Sequence, residues 1–272
     1  EDHNKGLKHI HNKEIVSIGD PDLRFEEDPV RSLRAIRFCT KLNFKINNNI
    51  KEAIYKKGHL LSSVSNARLF DEFCKIFLNG MAEKNFNKLV SFGLNKYLIS
   101  TNLNGCEFSN QLIIEALRNT DNRIKNNQSV TPGFLVAALL WPQLIKKSLK
   151  GNEINLKKFF RSMDSILRNQ QKITAIPRKF HTYIKDIWIL QLKLHSRIGR
   201  QPYKTLKHPR FRAAYDFLLV REKAAAKTKD LGFWWTEFQK NNEDLKKKLI
   251  NDLKKNNLEE SSKIFGFSKE LR

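Results

Sequence analysis

At 272 residues the chain can bury one large or two small cores, and a hydrophobic content of 40% places it among folded proteins rather than disordered ones. It carries 51 Lys and Arg against 28 Asp and Glu, a formal net charge of +23, which points to a polyanionic partner, nucleic acid first, through phosphate neutralisation and counterion release. Part of that charge also fits a solvated, lysine-rich surface with no partner. No apolar run approaches the roughly 20 residues that span a bilayer, no signal-peptide pattern opens the sequence, and Cys39, Cys74 and Cys106 are spaced like reduced core residues, so a cytoplasmic protein without a membrane partner is expected.

In chain order, Glu14-Ile15-Val16-Ser17-Ile18 alternates like a short strand. Asp20-Pro21-Asp22 brings two carboxylates together, but the internal proline predicts a turn over Asp20 to Leu23 rather than a metal-binding strand. His9-Ile10-His11 has no further ligand at metal-site spacing. The densest pattern is Arg24 to Phe38. Asp28 predicts an N-cap and Pro29 the first helical residue, with Val30, Leu33 and Ile36 toward a core. Asp28, Arg31, Arg34 and Arg37 recur every third residue along another side. Arginine forks bind phosphates and base edges bidentately, and a carboxylate beside them holds the fork or accepts from a base amino group, so these four residues are the candidate nucleotide-binding face. The same spacing is produced by a solvated basic face with ordinary capping.

A helix is expected from Ile50 to Leu61, then a Ser65-capped helix carrying Leu69, Phe70, Phe73, Ile76 and Phe77 and stopping at Gly80. Its rings at helical spacing read as core before they read as base-stacking platforms. Arg68 and Glu72, one turn apart, are expected to brace this helix against the first. Helical patterns continue over Glu83 to Phe92 and Ser109 to Asn119, followed by a polar pause from Asp121 to Val130. Thr131-Pro132 opens an apolar helix through Leu140 that Pro142 interrupts or kinks. Asn155 to Gln171 and Pro177 to His195 follow, the latter beside a basic rim. Arg197 to Pro202 reads as a turn, and Pro209 starts a helix in which Arg210, Arg212 and Arg221 interleave with Phe211, Tyr215 and Phe217.

That interleaving makes Arg178, Lys179, Arg197, Arg200, Arg210 and Arg212 the candidate RNA-binding residues, with most rings buried and the cationic heads lining a groove. Asn241 to Lys255 is a charged helix with a thin stripe of Leu245, Leu249 and Leu253, expected to lie loosely or fray, and Asn256 to Arg272 is expected to be mobile. The fold class is all-α with a short β segment near the N-terminus. The expected divisions are 1–22, a helical neck at 23–100, an arginine-rich body at 107–240, and a charged tail at 241–272.

The words Glu27-Asp28-Pro29-x-Arg31-x-x-Arg34-x-x-Arg37-Phe38 resemble the neck motif of the bacterial class II nucleotidyltransferases, the poly(A) polymerases and CCA-adding enzymes. His208-Pro209-Arg210-Phe211-Arg212-Ala213-Ala214-Tyr215-Asp216-Phe217-Leu218-Leu219, Trp234-Trp235-Thr236-Glu237-Phe238-Gln239 and Asp186-Ile187-Trp188-x-Leu190-Gln191 are similar to the poly(A) polymerase branch. The resemblance runs from about Asp2 to Gln239. It implies an enzyme that adds AMP from ATP to RNA 3′ ends with Mg2+, in which Asp28, Arg31, Arg34 and Arg37 choose and hold the nucleotide. The family's chemistry resides in a palm with a Gly-Ser turn and an Asp-x-Asp pair, neither of which occurs here at the corresponding place. Where the family has Asp-x-x-Gly-Gly and Asp-Leu, this sequence has Asp2-His3-Asn4-Lys5-Gly6 and His9-Ile10.

Residues 1–22 are therefore expected to be a palm remnant without its sheet, from a degraded or split gene, and the chain to bind RNA while holding no catalytic residue and no metal ligand. A separately encoded palm is the implied partner. Two other readings stay open: a fragment of a CCA-adding tRNA nucleotidyltransferase, and a non-catalytic helical RNA-binding protein.

Overall fold

The computed structural model describes residues 2, 5–100, 107–151, 153–224, 226, 228 and 230–255. Cys106 and the 256–272 stretch, named above, lie outside the described residues. The described chain is almost wholly helical: α1 (Gly6–His11), α2 (Pro21–Glu27), α3 (Val30–Leu42), α4 (Asn48–Lys57), α5 (Asn66–Phe77), α6 (Ala82–Ser91), α7 (Glu107–Lys125), α8 (Pro132–Ser148), α9 (Leu156–Gln171), α10 (Arg178–Leu194), α11 (Gln201–Leu206), α12 (Phe211–Lys223), α13 (Leu231–Lys240) and α14 (Glu243–Lys255). Strands are confined to two-residue pieces, β1 (Glu14–Ile15) with β2 (Lys45–Ile46) in parallel, and β3 (Leu149–Lys150) with β4 (Glu153–Ile154) antiparallel. Among the described residues no helix is long and apolar enough to cross a membrane.

The chain divides into two compact units. The first takes in the described residues up to 100 together with Thr120–Val130 and Asn169–Ile176. Its centre is α3, whose Val30, Leu33 and Ile36 are fully buried, packed on α5 and α6. The aromatic face of α5 is core, as expected: Phe73 and Phe77 are buried with ring centroids 4.9 Å apart. Ion pairs from Lys56 to Asp22 and from Lys57 to Glu26 join α4 to α2.

Several local expectations are corrected in this unit. Asp20-Pro21-Asp22 is a helix start, not a turn: the Asp20 carboxylate accepts the Asp22 N–H at 2.9 Å and Pro21 sits in the first turn, where its missing N–H costs nothing. The strand at Glu14–Ile15 does have a partner, since it registers with Lys45 and Ile46 of β2. The polar stretch from Asp121 does not break α7, which runs on to Lys125. Asp121 is held there because its carboxylate accepts the Ala82 and Glu83 N–H groups at 2.6 and 3.1 Å, capping α6 from 39 residues away.

The second unit takes in the described parts of Asn102–Asn119, Thr131–Arg168 and Pro177–Arg272. Its centre is the packing of α10 on α8 and α12. Gly133 permits that approach, because a Cβ there would stand 2.9 Å from the Tyr183 ring. Thr131 caps α8 by accepting the Phe134 N–H, but the helix does not end at Pro142: it continues to Ser148 with Pro142 inside a fully apolar, buried span. Tertiary burial on several sides outweighs the lost backbone bond. Leu190, Leu194, Phe211, Trp235 and Phe238 gather into one cluster, and Ile250, Leu249 and Leu253 of α14 pack against it. The charged terminal helix is thus docked through its apolar stripe rather than loose, although Leu245 stays exposed.

Candidate nucleotide and RNA interface

The start of α3 is built from Asp28 outward. The backbone at Asp28 is extended, one residue earlier than an ordinary N-cap, and the helix opens at Val30 with Pro29 in the cap position. Asp28 Oδ1 accepts the Val30 N–H at 3.2 Å, so its carboxylate still serves the helix terminus. Its other oxygen lies between two guanidiniums, accepting from Arg68 Nη2 at 2.8 Å with Arg34 Nη1 at 3.8 Å. Arg34 Nε is also 3.8 Å from Glu72 Oε1, a carboxylate 1% exposed that accepts from Lys75 at 2.9 Å. The spacing of Arg68 and Glu72 on α5 therefore does brace the arginine face of α3.

Arg31 is held from the other side, donating to Glu27 Oε2 at 3.0 Å and to the Arg24 carbonyl at 3.2 Å, while Arg24 reaches the same Glu27 oxygen at 2.7 Å. Arg37 is different. Its guanidinium lies 4.7 Å over the exposed Phe38 ring, and its buried Nε meets no acceptor. A cavity of about 490 Å³ opens beside Phe38, walled by Ile10, Ile15, Val16 and Leu42. The structure thus places Asp28, Arg31 and Arg34 in one carboxylate frame and Arg37 at its end beside an aromatic ring. Glu27 as the holder of Arg31 was missed in the sequence, although their spacing of four residues on a helical approach was a usable signal. Asp28, Glu27 and Glu72 are each taken up by cationic side chains, and among the described residues no three His, Cys, Asp or Glu come together as a metal-binding set.

In the second unit the cationic side chains are set against rings. Arg210 lies 4.9 Å over Tyr183 of α10, Lys179 lies 5.2 Å over Phe180, and Arg212 lies 5.5 Å over Tyr215 while pairing with Asp216 at 3.0 Å. Lys179, Tyr183 and Arg210 are therefore brought onto one face of α10. Arg178 and Arg200 stand exposed at the starts of α10 and α11. Arg197 follows α10 and covers Trp234 at 5.5 Å. Phe211, Tyr215 and Phe217 are buried, as expected of the rings.

Arg221 is a correction, since it does not join the cationic surface. It is fully buried, donating to Gln191 Oε1 at 2.9 Å and lying 4.9 Å over Trp141, while Gln191 Nε2 donates to the Ala214 carbonyl. Burial, with the charges of Arg221 and Arg197 adding to it, pushes the His195 imidazole down to about 3, so it is neutral at physiological pH. The same cause, joined by Asp71, pushes the Cys74 thiol up to about 11, which leaves it inert.

The chain is similar to known proteins over most of its length. Residues 43–101 match the family described as "Probable RNA and SrmB- binding site of polymerase A", and residues 152–264 match "Polymerase A arginine-rich C-terminus". Over 259 residues, 91% of this chain and 56% of the relative, the sequence is 36% identical to the poly(A) polymerase I of Salmonella typhi. The chain spans little more than half the length of that relative. A CCA-adding enzyme of Geobacillus sp. is 39% identical, but over only 34% of this chain and 23% of its own length. Among solved structures, a tRNA-processing enzyme in its apo form I shares the fold with a TM-score of 0.60 at 15% identity, covering 92% of this chain and 65% of that one.

Proposed function

Since the chain belongs to the bacterial poly(A) polymerase I family, as its neck and body portion, we propose that α3 presents the nucleotide-reading face of an enzyme that adds AMP from ATP to RNA 3′ ends, and that the second unit carries the RNA. The observation behind this reading is the frame around Asp28. One carboxylate orients Arg34 and Arg68, Glu27 orients Arg31, and the Arg37 Nε is a donor that finds no acceptor among the described residues. Guanidiniums fixed in this way are pre-organised for bidentate bonds to a triphosphate and to base edges, with Asp28 as the proposed acceptor for an amino group of the base. Asp28, Arg31, Arg34 and Arg37 are the proposed nucleotide-binding residues, within a neck covering 23–100. Arg178, Lys179, Arg197, Arg200, Arg210 and Arg212 are the proposed RNA contacts, within a body covering 107–240.

The chemistry of transfer belongs elsewhere. The family's Mg2+ supplies charge neutralisation at the transferring phosphoryl group, and the carboxylates around α3 do not fit such an ion because arginine and lysine already occupy them. No step is therefore assigned to a metal here, and a palm supplied by other sequence would provide it. We expect the purified chain, incubated with RNA, ATP and Mg2+, to bind both substrates but to incorporate no AMP. Incorporation would overturn the division between reading and catalysis. A preference for CTP equal to that for ATP would move the reading to the CCA-adding branch, whose relatives match only about a third of the chain. RNA affinity that is steeply salt-dependent but indifferent to ATP would leave a non-catalytic RNA-binding protein.

A further inference from the structure

Two tryptophans stand side by side at the start of α13 and are treated differently by the fold. Trp235 is fully buried and its indole N–H donates to the Leu194 carbonyl at 2.9 Å. Trp234, whose ring centroid is 5.1 Å away, is only 7% exposed, yet its buried indole N–H meets no acceptor. Trp188, elsewhere in the same unit, donates to Ala137 at 2.9 Å, so an idle indole is not the habit of this core. The side chain covering Trp234 is Arg197, and its own Nε is likewise buried with no acceptor. Two idle donors on adjoining side chains form an incomplete polar site, because buried N–H groups are almost always paired.

The surroundings specify what would complete it. Arg197 and Arg221 both bring positive charge to His195, which burial holds neutral, and Asp230 is the carboxylate whose charge acts on Arg197. An uncharged acceptor would satisfy the N–H groups but leave the guanidinium field unmatched. An anion with more than one acceptor oxygen satisfies both. Resting on the RNA reading above, we propose that Arg197 and Trp234 form a phosphate subsite in which a phosphoryl oxygen of the bound strand accepts from the guanidinium and from the indole N–H. Because both donors are buried, the Arg197 side chain must swing off the Trp234 ring as the phosphate enters. Trp234 then acts as a hydrogen-bond donor and not as a base-stacking platform, which its burial against Trp235 and Phe238 precludes.

The test follows the indole signals of the 15N-labelled full chain by NMR while inorganic phosphate, or separately a short oligoadenylate, is added, with Trp234→Phe assigning the signal. Strand binding is monitored in parallel by fluorescence anisotropy. The Trp234 N–H signal should move as oligoadenylate saturates, while those of Trp188 and Trp235 stay still. Arg197→Gln should weaken oligoadenylate binding roughly 5- to 10-fold and remove about one phosphate contact from the salt dependence. A Trp234 signal that stays still at saturation overturns the subsite and leaves the RNA reading intact. No anisotropy change at any concentration defeats the RNA reading itself. Movement with inorganic phosphate alone assigns the site to a free anion and overturns the strand as its source.

Discussion

In the first unit the guanidiniums of Arg31, Arg34 and Arg68 are met by carboxylates, whereas in the second those of Arg197, Arg210 and Arg221 lie over aromatic rings. The two settings do different things to the same side chain. A carboxylate fixes the direction of the fork and cancels much of its charge, which suits recognition of a small ligand by shape and bonding pattern. A ring supports the flat guanidinium while leaving its charge uncancelled, which suits attraction of a polyanion. Arg37 over Phe38 and Arg212, which has both a ring and Asp216, mark where each unit borrows the other's device.

The largest test of this contrast is Arg221, where ring support is carried into the core. Arg221→Leu leaves Gln191 without its donor and should destabilise the protein by about 3 kcal/mol, read from chemical denaturation, with the α3 ion pairs unaffected. A loss below about 1 kcal/mol would show that the charge, not its removal, is the burden. Acid comes next. His195 has a folded pKa lowered from 6.5 to about 3, so its contribution is intact above pH 6.5 and declines as pH falls toward 3, by about 1.4 kcal/mol per pH unit. Denaturation midpoints measured across that range should fall with pH, and His195→Gln should flatten the slope.

Smaller effects are expected on the carboxylate side. Asp28→Asn keeps an acceptor for the Val30 N–H but releases Arg34 and Arg68, so it should cost about 1 kcal/mol of stability while weakening ATP binding roughly tenfold in equilibrium titration. If stability falls and ATP binding does not, Asp28 is merely structural. Arg210→Gln is the mildest. It should reduce oligoadenylate affinity a few-fold and lower the salt slope by about one, without changing ATP affinity.

The parts legible in the sequence were those whose cause is local. The burial of Val30, Leu33 and Ile36 in α3 and the aromatic core of α5 follow from helical period, and the one-turn spacing of Arg68 and Glu72 on α5 was enough to expect a brace against α3, though not that Arg68 would meet Asp28, 40 residues away. Asp20 and Pro21 carried a helix-start signal that was outweighed by treating proline as a breaker. What escaped depends on distant chain. Pro142 survives inside α8 because it closes an unbroken buried apolar run from Leu135, and Asp121 stays helical because its carboxylate caps α6. Arg221 is spaced like its surface neighbours, and only the ring of Trp141 and the amide of Gln191 turn it inward. Trp234 stood out in the sequence only as part of a shared stretch, and its idle N–H is visible only once its neighbours are placed.

The bonds that close the first unit also set a clock for its assembly. The Leu98 carbonyl and Ser100 N–H are satisfied by the side-chain amide of Gln170, the Asn66 carbonyl accepts from the Ala175 N–H, and the Asn66 side-chain amide donates to the Gln171 carbonyl. On a ribosome adding about 5–20 residues per second, residues near 98 emerge roughly 4–14 s before those partners are made. Through that interval the aromatic core of α5 can form while its polar rim waits, so a transcript truncated after residue 101 would yield a neck with its inside finished and its edge open.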